Sequence, residues 1–227
     1  MQNIEKNLNR IRARILTAAE ACGRDPDSVL LLAVSKRKPA GDIRQAFALG
    51  QKHFGENYLQ EAQQKMLELQ DLDICWHFIG HIQSNKTRDI AAAFDWAHCV
   101  DRIKIARRLS EQRPADRPPL NVCIQVNIDH EDTKAGIDLA DVPELAVAMQ
   151  SLPGIRLRGL MTIPAPRAGF DEQRPAFAQL AAALAGLQRQ GIDCDTLSMG
   201  MTQDMDAAIA EGSTLVRIGT AIFGERT

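Results

Sequence analysis

The chain has 227 residues, 45% hydrophobic and 25% charged, with a formal net charge of −2 and a pI near 6.2; that is enough apolar material for a large core, and it gives no overall basic field of the kind that holds nucleic acid. Five cysteines (Cys22, Cys75, Cys99, Cys123 and Cys194) form no C-x-x-C pair, and Cys75, Cys99 and Cys123 lie in apolar runs, so a reducing compartment fits and a zinc site does not. No stretch approaches the roughly 20 apolar residues of a membrane span, and no signal-like region, linker or low-complexity tract stands out, so the sequence reads as one cytoplasmic domain over 1–227 with no membrane or nucleic-acid partner.

In chain order, Ile4, Leu8, Ile11, Ile15 and Ala18/Ala19 recur at three- and four-residue spacing and predict an amphipathic helix over residues 2–22, ended by Gly23 and Asp25-Pro26. Val29-Leu30-Leu31-Leu32-Ala33-Val34 is apolar without alternation, the pattern of a strand covered on both faces, and it stops at Ser35-Lys36-Arg37-Lys38-Pro39. Lys36 therefore stands at the carboxyl end of a central strand. Desolvation there lowers the pKa of an amine and makes its neutral, nucleophilic form accessible, the chemistry of a Schiff-base lysine. The alternative is a lysine that simply leaves the core for solvent.

A helix from Pro39 to Leu49, closed by Gly50, leads to a short strand at 53–57 and a helix from Tyr58 to Leu69. Residues 75–80 predict a third strand, followed by Gln83-Ser84-Asn85-Lys86 and an alanine-rich helix. Residues 96–100 and 101–112 repeat the pair, and 120–127 is the clearest strand in the chain. After a polar loop with Thr133-Lys134-Ala135-Gly136 come a helix at 142–149, a strand at 157–163, a helix at 171–190, a strand at 196–199, a short helix at 204–210 and a strand at 214–219. Eight β segments alternating with helices is the count of a (β/α)8 barrel preceded by an extra amino-terminal helix. No G-x-G-x-x-G follows the first strand, which weakens a dinucleotide-binding alternative.

In such a barrel function sits at the carboxyl ends of the strands, and phosphate commonly binds after strands seven and eight. The residues there are Lys36, Asn57, His77, Gly80, Asn127, Met161-Thr162, Ser198-Met199-Gly200 and Arg217-Gly219-Thr220. Small residues at Gly200 and Gly219 let backbone amides approach a phosphate, while Ser198 and Thr220 offer hydroxyls; the alternative is a pair of tight turns closing the barrel. An amine facing a phosphate cradle is what a phosphorylated aldehyde requires, pyridoxal 5′-phosphate being the commonest. Arg217 faces the interior and must be paired there or bonded to a cofactor's pyridine nitrogen, which a guanidinium keeps unprotonated. Asn57 either bonds the ring or caps the following helix, His77 either contacts the cofactor or is a satisfied core histidine, and Met199 either packs on the ring or fills the mouth.

These residues carry a family resemblance. Leu-Ala-Val-Ser-Lys at 32–36, Phe-Gly-Glu-Asn-Tyr at 54–58, Trp-His-Phe-Ile-Gly at 76–80 with Gln-Ser-Asn-Lys at 83–86, Val-Asn-Ile at 126–128 with Thr-Lys-Ala-Gly at 133–136, Arg-Gly-Leu-Met at 158–161, Leu-Ser-Met-Gly-Met at 197–201 and Val-Arg-Ile-Gly-Thr-Ala-Ile-Phe-Gly at 216–224 resemble the pyridoxal phosphate homeostasis proteins over nearly the whole length. The resemblance implies a single-domain barrel like the cofactor domain of alanine racemase, with pyridoxal 5′-phosphate held as an aldimine on Lys36, Arg217 at the pyridine nitrogen, and Ser198, Gly219 and Thr220 around the phosphate. It makes Lys134 a candidate secondary contact. It also implies a carrier without enzymatic activity, binding pyridoxal phosphate and other B6 vitamers and supplying apo-enzymes, with no metal. A pyridoxal-dependent racemase is the competing reading and a cofactor-free lysine aldolase a third. One departure is His81, where the family pattern carries proline.

Overall fold

The computed structural model describes residues 3–131 and 135–225. Eight parallel strands close into a barrel in chain order: β1 (Leu30–Val34), β2 (His53–Glu56), β3 (Cys75–Phe78), β4 (Trp96–Val100), β5 (Leu120–Val126), β6 (Ile155–Thr162), β7 (Thr196–Ser198) and β8 (Leu215–Ile218). Closure is made by β1, which pairs with β2 through Ala33↔Phe54 and with β8 through Leu30↔Leu215 to Ala33↔Ile218. Parallel strands need crossovers, and each is a helix laid on the outside: α2 (Ala40–Ala48), α3 (Leu59–Glu68), α4 (Thr87–Ala93), α5 (Ile103–Glu111), α6 (Val142–Met149), α7 (Phe170–Arg189) and α8 (Met205–Ala210).

The helix after β8 is a single turn, Thr220–Phe223, too short to cover the strands beneath it. The amino-terminal helix, α1 (Ile4–Ala21), takes its place in the outer ring, lying between α8 and α2. Its apolar stripe of Ile4, Leu8, Ile11, Ile15 and Ala19 is buried, and its polar groups reach the carboxyl end of the chain. Asn7 Nδ2 donates to the Ile222 carbonyl at 2.9 Å, and Arg14 forks Asp206 at 2.9 and 3.0 Å while donating to the Thr202 carbonyl at 2.6 Å. The expected extra helix is thus part of the ring. Elements fall within two residues of where the sequence places them: β6 begins at Ile155, two residues before the expected start, β3 ends at Phe78 rather than Gly80, and α5 begins at Ile103 rather than Asp101. Among the described residues no helix is long and apolar enough to cross a membrane.

Register separates inside from outside. Glu56 on β2 meets Lys65 of α3, so its face is the outer one, and His53, Gly55 and Asn57, one residue out of phase, face inward. The same phase turns His77 of β3 and His98 of β4 into the barrel. His98 Nδ1 lies 2.8 Å from Ser198 Oγ on β7, three strands away, a contact possible only across the interior.

Candidate functional site

At the carboxyl mouth one cavity of about 190 Å³ is bounded by Lys36, Asn57, Arg217, Gly219 and Thr220, with Val34, Ile79, Met161 and Ile163 as its apolar wall. Lys36 is half-buried in the turn that follows β1. That turn is anchored from outside the barrel: Lys65 Nζ donates to the Ser35 carbonyl at 2.8 Å and to Glu56 Oε1 at 2.8 Å, and Ser35 Oγ lies 2.6 Å from the same carboxylate oxygen. Ser35 and Glu56 immediately precede Lys36 and Asn57, so one buried ion pair fixes the two turns carrying both site residues. Burial pushes the Glu56 carboxyl up from its ordinary value, while Lys65 and the hydrogen bonds from Lys65 and Ser35 pull it down.

Arg217, only 5% exposed, reaches this cavity from β8. Its Nη1 donates to the carbonyl and, at 2.8 Å, to the hydroxyl of Ser198, and its Nη2 donates to the Thr162 carbonyl at 2.8 Å. Three of its five donors are thereby used, and two, on Nε and Nη2, are left for a group in the cavity. Desolvation pulls its pKa below the ordinary arginine value, yet a guanidinium stays charged in any protein. Asn57 Oδ1 is buried without a hydrogen-bond partner, and the following helix starts at Tyr58 with no side-chain cap, so Asn57 is not spent as a cap. An unpartnered buried acceptor and two unspent guanidinium donors on one cavity are the mark of a place meant for a polar ligand.

Several expected site residues lie elsewhere. Ser198 is fully buried with its hydroxyl between Arg217 and His98 Nδ1, beneath the cavity rather than on it, so it orients Arg217 and has no open path to a phosphate. Met199 is fully buried in the core, and Gly200 is a packing glycine: at φ +97° its place is one L residues avoid, a Cβ there would lie 2.7 Å from Ala208 Cβ, and its carbonyl accepts the Arg217 amide at 2.9 Å. His77 is a satisfied core histidine deep in the barrel, stacked on Trp96 at 5.3 Å, and does not reach the cavity. Asn127 holds the following loop, donating from Nδ2 to the Glu131 carbonyl at 2.9 Å. Gly80 admits the Asn57 carbonyl, which a Cβ would meet at 2.2 Å. Lys134 lies outside the described residues.

Three participants were not singled out in the sequence. Lys38 is buried at the cavity edge, its Nζ donating to the Glu225 carbonyl at 2.6 Å. Thr202 brings a hydroxyl to the cavity beside Thr220 from the loop after β7. His98 is the third: His53 Nδ1, His77 Nε2, His77 Nδ1, His98 Nε2 and His98 Nδ1 form a run of contacts at 3.0 and 2.9 Å that ends on Ser198 and Arg217. Burial and then the Arg217 charge push His98 down to about 3, and burial, His98 and His53 hold His77 well below the ordinary histidine value, so both imidazoles are neutral. The available signal was phase: His77 and His98 each stand two residues after a strand's first residue, on the inward face. Tyr58, the chain's one tyrosine, lies on the rim, 47% exposed, with its hydroxyl 3.3 Å from Arg37 Nη2.

Residues 5–227 match the family model of the alanine racemase N-terminal domain. The chain is 58% identical over 226 residues to the pyridoxal phosphate homeostasis protein of Pseudomonas aeruginosa, covering 100% of this chain and 97% of that one. It is 54% identical over 229 residues to the protein of the same name from Escherichia coli K12, covering 100% and 98%. Among solved structures it is similar to PipY of Synechococcus elongatus with pyridoxal phosphate bound, at 39% identity and a TM-score of 0.85, over 98% of this chain and 100% of that one.

Proposed function

We propose, from the premise that this chain belongs to the pyridoxal phosphate homeostasis proteins within the alanine racemase N-terminal domain family, that it binds pyridoxal 5′-phosphate at the carboxyl mouth and serves in cofactor homeostasis as a carrier rather than an enzyme. The observation that carries the reading is one cavity that joins the Lys36 amine to two unused Arg217 donors and to the Gly219-Thr220 turn. When bound, the cofactor supplies an aldehyde, a phosphate ester and a pyridine nitrogen, and the mouth presents a complement for each.

Lys36 offers the amine. Thr220, in the turn after Gly219, offers a hydroxyl donor to phosphate oxygens, and Thr202 lines the cavity beside it. Arg217 donates and cannot give up a proton, so a ring nitrogen in contact with it keeps its lone pair and the ring remains a weak electron sink. Met161, Ile79 and Val34 shield the ring's apolar edge, and the Asn57 amide stands ready to bond a ring substituent.

What surrounds Lys36 supports a carrier over a catalyst. Racemisation needs a base on each face of the substrate carbon. Of the described basic side chains on this cavity, Lys38 is committed to the Glu225 carbonyl and Arg217 is no base, while Tyr58 lies on the rim against Arg37 and does not line the cavity. A mouth of this kind lets its cargo leave, as delivery to apo-enzymes and acceptance of other B6 vitamers require, and we place that role in the cytoplasm of a one-domain protein. The test is α-proton exchange of L-amino acids in deuterated water beside cofactor transfer to an apo-enzyme. The expected result is transfer with no exchange near the ~10 s⁻¹ of ordinary enzymes. Rapid exchange lost in both Lys36→Ala and Tyr58→Phe would replace the carrier with a racemase.

A further inference from the structure

At the amino end of the barrel, remote from Lys36, three donor atoms converge: His53 Nδ1, Cys75 Sγ and His77 Nε2 lie within 4.8 Å of one another. His53 and Cys75 are the first residues of β2 and β3, and His77 stands one inward step above Cys75, so strand register alone brings them together. We propose that these three residues form a binding site for a single divalent metal ion of the zinc class.

The spacing fits. His53 Nδ1 and His77 Nε2 are 3.0 Å apart, and Cys75 Sγ and His77 Nε2 are 3.5 Å apart. Zn–N bonds of about 2.0–2.1 Å and a Zn–S bond of about 2.3 Å at tetrahedral angles put such donors about 3.3 and about 3.6 Å apart. The remaining His53–Cys75 edge is within 4.8 Å, and both residues are half-exposed at the barrel end. Two nitrogens and one sulfur are the donor set of a borderline-soft ion, which magnesium and calcium do not favour.

The surroundings have the features of a metal site. His77 presents Nε2 while its Nδ1 rests on His98 Nε2 at 2.9 Å, and His98 Nδ1 rests on Ser198 at 2.8 Å, the outer-shell support that fixes a ligating imidazole. With Nε2 on a metal, Nδ1–H of His77 donates to His98, and His98 donates to Ser198. The ion sets the sense of the whole run. Asp95 and Asp73 bring negative charge to Cys75, and Asp95 also acts on His53, where Lys52 opposes it. The thiol proton of Cys75 leaves for solvent as the sulfur–metal bond forms. Cysteine spacing gave no hint of the site because two of its three donors are histidines from adjacent strands.

The experiment is titration of the full chain, freed of any affinity tag and chelator-washed, with Co(II) and then Zn(II). The expected result is one equivalent of Co(II) with tetrahedral d–d bands and a thiolate charge-transfer band in the near ultraviolet, displaced by zinc with loss of both. Cys75→Ser removes the charge-transfer band, and His53→Gln, at a half-exposed strand end, weakens binding by at least about tenfold while the circular dichroism is unchanged. Failure to bind, binding without the thiolate band, or affinity unmoved by either substitution overturns the proposal. None of these outcomes bears on pyridoxal phosphate at the opposite mouth.

Discussion

The two ends of the barrel hold comparable sets of polar side chains and spend them differently. At the amino end Arg158 forks Asp195 at 3.0 and 2.7 Å, donates to Asn121 at 3.1 Å and lies 4.8 Å over the Trp96 ring, while Asp95 accepts the Trp76 amide at 2.8 Å and pairs with Arg117 at 2.8 Å. Its groups are satisfied by one another. At the carboxyl end Asn57 Oδ1 has no partner and Arg217 keeps two donors in hand, and the order there comes from outside the barrel through Lys65 and Glu56. Each polar group buried without a partner costs about 1–3 kcal/mol, a cost a fold carries where a ligand will remove it.

The largest expected effect breaks the support beneath the open mouth. Lys65→Ala strands the Glu56 carboxylate and the Ser35 carbonyl, and losing one partner of a buried pair destabilises by about 3–5 kcal/mol, read as a shift in the urea midpoint. The sign of its pH dependence follows from Glu56. With its folded pKa raised by burial, the carboxyl is satisfied when protonated in acid and penalised as the pH rises, so the variant's deficit grows as the pH climbs from the ordinary carboxylate range through that raised value. A deficit that is small and flat with pH would show that the pair does not hold these turns.

Next in size is a change at the mouth itself. Thr220→Val removes a hydroxyl donor while nearly keeping volume, and hydrogen bonds to a charged group contribute roughly 1.5–3 kcal/mol. The dissociation constant for pyridoxal phosphate is expected to rise by about tenfold to a hundredfold, with the urea midpoint unchanged because Thr220 is exposed. An unchanged constant places the phosphate elsewhere.

The smallest effect is expected at the closed end. Asp195 is partly desolvated, but its bonds from Arg158 and Thr196 hold its carboxyl below the ordinary 3.8. A depressed folded pKa contributes stability above the unfolded value and loses it as the pH falls through the folded one. Asp195→Asn therefore costs no more than about 1 kcal/mol at neutral pH, the scale of an exposed pair, and the difference from wild type vanishes in acid. Equal stability at every pH would mean that the fork to Arg158 contributes nothing.

How much of this was legible follows from which signals are local. The unbroken apolar run before Lys36 and the eightfold alternation are properties of consecutive residues, and they led to the barrel and to the mouth that holds Lys36, Arg217, Gly219 and Thr220. Ser198, Met199 and Gly200 follow the same local logic and still do not line the cavity: β7 ends at Ser198, whose hydroxyl lies beneath it, Met199 is buried in the core, and Gly200 packs on Ala208 of the outer helix α8. Whether an inward group reaches the mouth depends on its height in the barrel, which register across several strands sets. His98 was hidden for that reason, since its partners are on β3 and β7. Lys38 was hidden too, because its partner, the Glu225 carbonyl, lies at the other end of the chain.

The most direct test of the open mouth is to load the protein with pyridoxal phosphate, reduce it with borohydride and map the modified peptide. Lys36 is expected to carry the adduct in wild type, and Lys36→Ala is expected to lose both the adduct and the near-ultraviolet to violet absorption while retaining a weaker complex through Arg217, Gly219 and Thr220. An adduct of unchanged stoichiometry on another residue, Lys134 included, would contradict it.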